Sequence, residues 1–158
     1  MTDFTRLLET LVGNGVRFIV IGGVAATVHG SARLTQDLDV VYARDDDNLV
    51  RLVAALSPLQ PYLRGAPRGL PFTWDVRTLR VGLNFTLTTS LGDLDLLGEI
   101  VGGGAYERLV DDAVVVQLET IEFLCLGLHR LIEVKRAAGR PKDLETIAEL
   151  EVIRDEMS

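Results

Sequence analysis

Phe4, Leu7, Leu8, Leu11 and Val12 recur at helical spacing, and Gly13-Asn14-Gly15 stops the run. A short unbroken apolar stretch, Phe18-Ile19-Val20-Ile21, follows and predicts a buried strand. Gly22-Gly23 ends it, Val24 through His29 reads as a short helix, and Gly30 closes that helix. Leu38-Asp39-Val40-Val41 predicts a second strand. Asp45-Asp46-Asp47 then opens a helix to about Leu56, its acids matched to the positive end of the helix dipole. Residues 57–71 carry four of the five prolines and two glycines, the composition of a surface loop. From there to about Arg80 neither period wins.

Alternation takes over further along. Leu83, Phe85 and Leu87 alternate with Asn84, Thr86 and Thr88, which predicts a half-buried strand. Ser90-Leu91-Gly92 turns the chain, and Leu94-Asp95-Leu96-Leu97 returns as its partner. Gly102-Gly103-Gly104 breaks the chain before a short helix, and Val114-Val115-Val116 predicts a last strand. Ile121, Leu124, Cys125, Leu128 and Ile132 predict a long amphipathic helix ending at Gly139. Pro141 fits the first position of a final helix with Leu144, Ile147 and Leu150 inside. The expected architecture is α+β, a mixed β-sheet flanked by helices. Residues 1–118 form the core, and 119–158 form a C-terminal helical pair packed on it as a single compact unit.

Composition narrows the class. The 158 residues are 47% hydrophobic and 25% charged, ordinary values for a globular chain with a real core. One cysteine excludes an internal disulfide. No apolar run approaches the roughly 20 residues of a membrane span, and no signal peptide is evident, so a cytoplasmic location is expected. The net charge of −7 weighs against broad electrostatic binding of nucleic acid and leaves room for a local basic site.

The chemistry concentrates between Ile21 and Val41. Asp37 and Asp39 stand two apart in a predicted strand, so both point to one face while Leu38 and Val40 point to the other. Two such carboxylates repel unless a cation sits between them, and a hard divalent ion, Mg²⁺ or Mn²⁺, suits oxygen ligands. Gly22-Gly23, between a buried strand and a helix start, offers backbone N–H groups to an anion. Asp93 and Asp95 share a face of the later hairpin, and Asp95 is set in an apolar strand where its charge needs a partner. Asp37, Asp39 and Asp95 converging at strand ends would hold two divalent ions roughly 3.5–4 Å apart, beside a nucleotide tail. D-x-D pairs are common on solvated strand faces, and Gly-Gly turns are common everywhere. Their order is more specific: strand, Gly-Gly, short helix, D-x-D strand, then a later strand acid.

That order, written G-G-x-A-x-x-x-H-G-x-x-R-x-T-x-D-L-D, resembles the signature of the nucleotidyltransferase superfamily with its polymerase-β-like fold. Within it, the chain most resembles small bacterial proteins related to the AbiEii/AbiGii abortive-infection toxins, and K-R-A-A-G-R-P-K-D-L over 135–144 is similar to their later motifs. The resemblance implies that Gly22 and Gly23 cradle phosphate, with Arg33 and Thr35 beside them. It implies that Asp37, Asp39 and Asp95 are the metal-binding catalytic triad, with a nucleoside triphosphate as substrate. It suggests an acceptor such as tRNA and a countering antitoxin or helical partner protein. Val24 stands where many relatives have a serine, Thr35 replaces a common serine, and Thr146 falls where a further acid is expected.

Lys135, Arg136, Arg140 and Lys142 cluster in an otherwise acidic chain. They read either as a solvated helix end or as triphosphate contacts from Lys135 and Lys142, with Asp143 orienting one lysine or the acceptor. Arg33 could reach a phosphate or pair with nearby carboxylates. His29 reads as a packing or capping residue, Cys125 as core, and His129 as surface. Trp74 and Tyr62 could stack on a base, though one aromatic does not make a base site. Two functions stay open: Mg²⁺-dependent transfer of a nucleoside monophosphate, to tRNA or to a small cationic molecule of the aminoglycoside kind, or a nucleotide- or partner-binding module without turnover.

Overall fold

The computed structural model describes residues 1–157. In chain order the elements are α1 (Phe4–Gly13), β1 (Phe18–Ile21), α2 (Gly22–Val28), β2 (Asp37–Tyr42), α3 (Asp46–Leu56), β3 (Tyr62–Leu63) and α4 (Val76–Val81). The hairpin β4 (Asn84–Thr89) and β5 (Gly92–Leu97) follows, then the small ribbon β6 (Glu99–Ile100) and β7 (Gly104–Ala105), and α5 (Tyr106–Leu109). The chain ends with β8 (Ala113–Leu118), β9 (Ile121–Leu126), α6 (Leu128–Ala138) and α7 (Pro141–Glu156).

Three helices start on the same local device. Asp3, Asp45 and Asp75 each accept a hydrogen bond from the backbone N–H three residues on, capping α1, α3 and α4. The seven-stranded sheet runs β3-β4-β5-β2-β1-β9-β8. The inner strand β1, between β2 and β9, is buried at all four positions, which is why Phe18–Ile21 reads as a continuous apolar run. β1 pairs antiparallel with β2 and parallel with β9, while β2 pairs parallel with β5. The sheet is mixed, as expected. α1 packs on α3, and α3 on α4; α2 packs on β2 and α6, and α6 on α7. Among the described residues no helix is long and apolar enough to cross a membrane.

The C-terminal expectation needs correction at its start. Residues 121–126, expected as the first turns of a long helix, form β9, and the helical pair begins at Leu128 rather than at 119. Ile121, Leu124, Cys125 and Leu128 satisfy helical spacing, but Ile121, Phe123 and Cys125 satisfy alternation equally well. The free side of β1 decides the matter by pairing Val20 with Cys125. Cys125 is core, as expected, but on a strand, and burial pushes its thiol up to about 12. The proline-rich stretch contributes the two-residue edge strand β3, a placement that tolerates proline nearby. In the undecided stretch, Trp74 donates its indole N–H to the Val53 carbonyl at 3.1 Å, which ties the ring to α3. Tyr62 packs edge-on against Phe72.

Asn48, fully buried, donates to the carbonyls of Arg17 (3.1 Å) and Ala43 (2.7 Å) and accepts from the Arg17 amide (2.7 Å). It fastens α3 to the segments flanking β1 and β2. Asn48→Ala leaves these groups buried without partners and should cost about 2–3 kcal/mol, read from the shift of a urea unfolding curve.

Candidate active site

The β2–β5 ladder sets Asp37 beside Asp93 and Asp39 beside Asp95. Directly paired residues of neighbouring strands point to one face, so two D-x-D sequences from distant parts of the chain become one acidic patch. Carboxylate oxygens of Asp37, Asp39 and Asp95 all lie within 4.8 Å of one another. The cost shows in the protonation of the group. Burial first, then the Asp37 and Asp95 carboxylates, push Asp39 up to about 8. Asp95 is also raised, by burial, while the guanidinium of Arg64 pulls the other way. Asp39 Oδ1 is buried and has no hydrogen-bond partner. An orphaned carboxylate oxygen, two more carboxylates within reach and an all-oxygen donor set fit a hard divalent ion such as Mg²⁺ or Mn²⁺.

The glycines are explained by this cluster. Gly22 has a φ of +69°, and a Cβ there would overlap the Asp39 carboxylate. A Cβ on Gly23 would press on Thr35 Oγ1, whose hydroxyl donates to the Asp37 carbonyl at 3.3 Å. The start of α2 is thus held directly against the acidic strand. A cavity of about 600 Å³ opens there, with Gly22, Gly23, Arg33, Thr35, Asp37 and Asp39 on one side. Lys135, Arg140, Lys142, Asp143 and Thr146 of the helical pair line the other side.

Two of the C-terminal cations meet one buried carboxylate, Asp143. Lys135 is buried, its Nζ 3.9 Å from Asp143 Oδ1. Burial lowers the affinity of that amine for its proton, and Asp143 opposes the shift. Asp143, 1% exposed, accepts from Arg140 through Nε (2.8 Å), NH2 (3.2 Å) and the backbone amide (3.2 Å). Burial works to raise the Asp143 carboxyl, but the Arg140 hydrogen bonds and charge outweigh it and hold it low. Asp143 therefore orients Arg140, and stands near Lys135, rather than steering Lys142. The spacing of three residues at the start of α7 carries this signal, as a reciprocal cap in which the backbone of Arg140 is bonded by Asp143.

Arg33 is tied to α7, donating to Glu145 at 2.9 Å and lying 3.9 Å from Glu149. Glu149 also accepts from the Ser31 hydroxyl and from the Ala32 amide. His29 donates from Nε2 to the Leu126 carbonyl at 2.7 Å, a packing role, and the His129 side chain is exposed. Arg136 pairs with Glu151 on α7. Thr146 is buried and donates to the Lys142 carbonyl, so no further acid stands there.

Arg64 is the residue that motif reading missed. Its NH2 donates to Asp95 Oδ1 and to the Leu87 carbonyl, both at 2.7 Å, and its Nε faces Asp93 Oδ1 at 3.4 Å. It follows β3, and its amide donates to the carbonyl of Thr86, the residue paired with Asp95. One row across the sheet thus reads Arg64, Thr86, Asp95, Asp39.

Two solved structures share this arrangement of elements. The lincosamide antibiotic adenylyltransferase LnuA, in lincomycin-bound form, superposes with a TM-score of 0.63 at 14% identity, over 95% of each chain. A Thermotoga maritima protein described as a candidate nucleotidyltransferase superposes at 0.58 with 13% identity, over 94% of each chain. The fold is nucleotidyltransferase-like. No protein-family model matches the sequence, and no curated protein matches it by sequence.

The strained cluster makes a stability prediction. The folded Asp39 carboxyl holds its proton up to about 8, and the unfolded one releases it near 3.8. Folding is therefore weakened as pH rises through that window. In metal-free buffer at pH 8.5, Asp39→Asn should raise stability by about 1–3 kcal/mol, seen as a higher Tm, with little gain at pH 4. An equal gain at both pH values would separate the effect from this charge.

Proposed function

We propose that the protein is a divalent-metal-dependent nucleotidyltransferase that moves a nucleoside monophosphate from a nucleoside triphosphate to the hydroxyl of a small acceptor. The observation that carries this reading is the orphaned Asp39 oxygen within the Asp37–Asp39–Asp95 cluster, beside a cavity whose lining includes Arg33, Lys135, Arg140 and Lys142. Asp37 and Asp39 would hold the ion, with Asp95 completing the set. When bound, the ion supplies positive charge against the triphosphate and the developing charge of transfer.

The chain's own residues divide the remaining work. The triphosphate lies in the cavity, against the glycine start of α2 and beside Thr35. Lys135 and Lys142 meet its oxygens as point charges, and Arg140, held flat by Asp143, offers a fixed fork of donors. Arg33 stands at the rim. The acceptor oxygen attacks the α-phosphorus from the β4–β5 side, the bond to the β-phosphate oxygen breaks, and pyrophosphate leaves. The acceptor's proton passes to water, since one Asp95 oxygen accepts from Arg64 and the other is left for the ion.

A small acceptor is favoured over RNA by the fate of the basic cluster. Lys135 is buried beside Asp143, and Arg140 and Arg136, though exposed, are paired with Asp143 and Glu151, so most of the cluster on which a tRNA contact was to rest is already matched by carboxylates. The net charge of −7 favours a cationic, hydroxyl-bearing molecule. The fold shared with a lincosamide-modifying enzyme supports the same class. The toxin-type acceptor and its antitoxin rest on the sequence resemblance alone.

Incubation with each α-labelled triphosphate, Mg²⁺ and a panel of aminoglycosides, lincosamides and total tRNA tests the proposal. Label should pass to one small-molecule class and not to tRNA; nucleotide binding without transfer would instead favour a non-catalytic module. Asp37→Asn should lower kcat by at least about a hundredfold, the scale of losing one group that stabilises the transition state, while circular dichroism stays native. Lys135→Ala and Arg140→Ala should each raise KM for the triphosphate about tenfold. An unchanged KM in initial-rate measurements would return those residues to a purely structural role.

A further inference from the structure

Arg64 sits on the one side of the carboxylate cluster that the nucleotide cavity does not reach. Its guanidinium is placed by the sheet itself, since the Arg64 amide is bonded to Thr86 and its NH2 to Leu87, both on β4. From there it donates to Asp95 Oδ1 at 2.7 Å, so that oxygen is already satisfied by a cation. The Arg64 side chain is 27% exposed, and that of Asp95 19%, which keeps water from screening the pair. Asp93 also faces the guanidinium, at 3.4 Å, and is the more solvated of the two acids at 36%.

We infer that Arg64 is a resident cation that takes the place of a second divalent ion at Asp95, so that the cluster binds one ion until a triphosphate brings another. The inference rests on the proposed metal-dependent reading and concerns how many ions that site holds. Charge balance argues for it. Asp37, Asp39, Asp93 and Asp95 carry four negative charges, and one divalent ion with one guanidinium leaves a single one, which falls to the more solvated Asp93. A second ion would leave an excess of positive charge in a half-buried site and would find Asp95 Oδ1 taken. A triphosphate reverses that balance because it brings the negative charge that a second ion needs. Arg64 also pins the Asp95 carboxylate in one orientation, leaving its other oxygen for the first ion. In these terms Arg64 is a positioning residue and an electrostatic substitute; it touches Asp95 and not the nucleotide cavity.

The experiment is a Mn²⁺ titration of the full chain without nucleotide, followed by the loss of the free-ion electron paramagnetic resonance signal. The wild type should bind one Mn²⁺ per chain. Arg64→Gln removes the charge and frees Asp95 Oδ1, and should either bind a second Mn²⁺ or bind the first at least about tenfold more tightly. Arg64→Lys keeps the charge and should stay at one ion. Two ions on the nucleotide-free wild type would overturn this inference and leave the metal-dependent reading standing. One ion at unchanged affinity in a folded Arg64→Gln protein would overturn it too. If Arg64→Gln does not fold, the wild-type count and Arg64→Lys still decide, because a second ion on either one removes Arg64 from this role. No Mn²⁺ on the wild type at all would take down the metal site itself, and this inference with it.

Discussion

The parallel pairing of β2 with β5 is the constraint on which the site depends. It is a main-chain interaction, indifferent to charge, yet it forces Asp37 and Asp39 alongside Asp93 and Asp95. Each carboxylate would be at ease on a solvated strand. Together, half-buried and with a bare oxygen on Asp39, they store repulsion that a cation relieves. The surrounding features answer that repulsion. Arg64 balances it from just beyond β3, the cations of α6 and α7 face it across the cavity, and the glycine start of α2 leaves room for it. The apolar face of the same strands, Leu38 and Val40 with Leu94 and Leu96, is fully buried and anchors the ladder against the strain.

What the sequence revealed and what it hid follow from the range of the interactions. The hairpin over 84–97, the aspartate-capped helix over 46–56 and the D-x-D strand are set by neighbours a few residues apart, so their periods can be read directly. The glycine pair was legible as a turn. Its tighter reason, the close approach of Asp39, needed the fold. Residues 121–126 satisfied two periods at once, and a distant strand made the choice. Arg64 lies 31 residues from Asp95, in a segment whose prolines and glycines announce only a loop. No local pattern could have paired them. Arg140 was visible among the basic residues, but only Asp143 lying buried beneath it shows why its guanidinium is fixed.

The same view separates residues that were grouped by charge. Lys135, Arg136, Arg140 and Lys142 form one run in sequence and three environments in space: a buried ammonium, an arginine braced by a carboxylate, and groups at helix surfaces. Cations fixed in this way lose little further freedom when an anion arrives.

Glu149 joins two parts of the chain that are far apart in sequence. From the middle of α7 it accepts hydrogen bonds from Ser31 and Ala32, at the head of the segment that leads into Asp37. The last helix therefore acts as a buckle for that segment. Fraying of α7 would slacken the approach to the first aspartate, so opening of α7 and loosening of the carboxylate cluster form one event. In hydrogen exchange the amides near Ala32 and those of α7 would then share a common opening free energy.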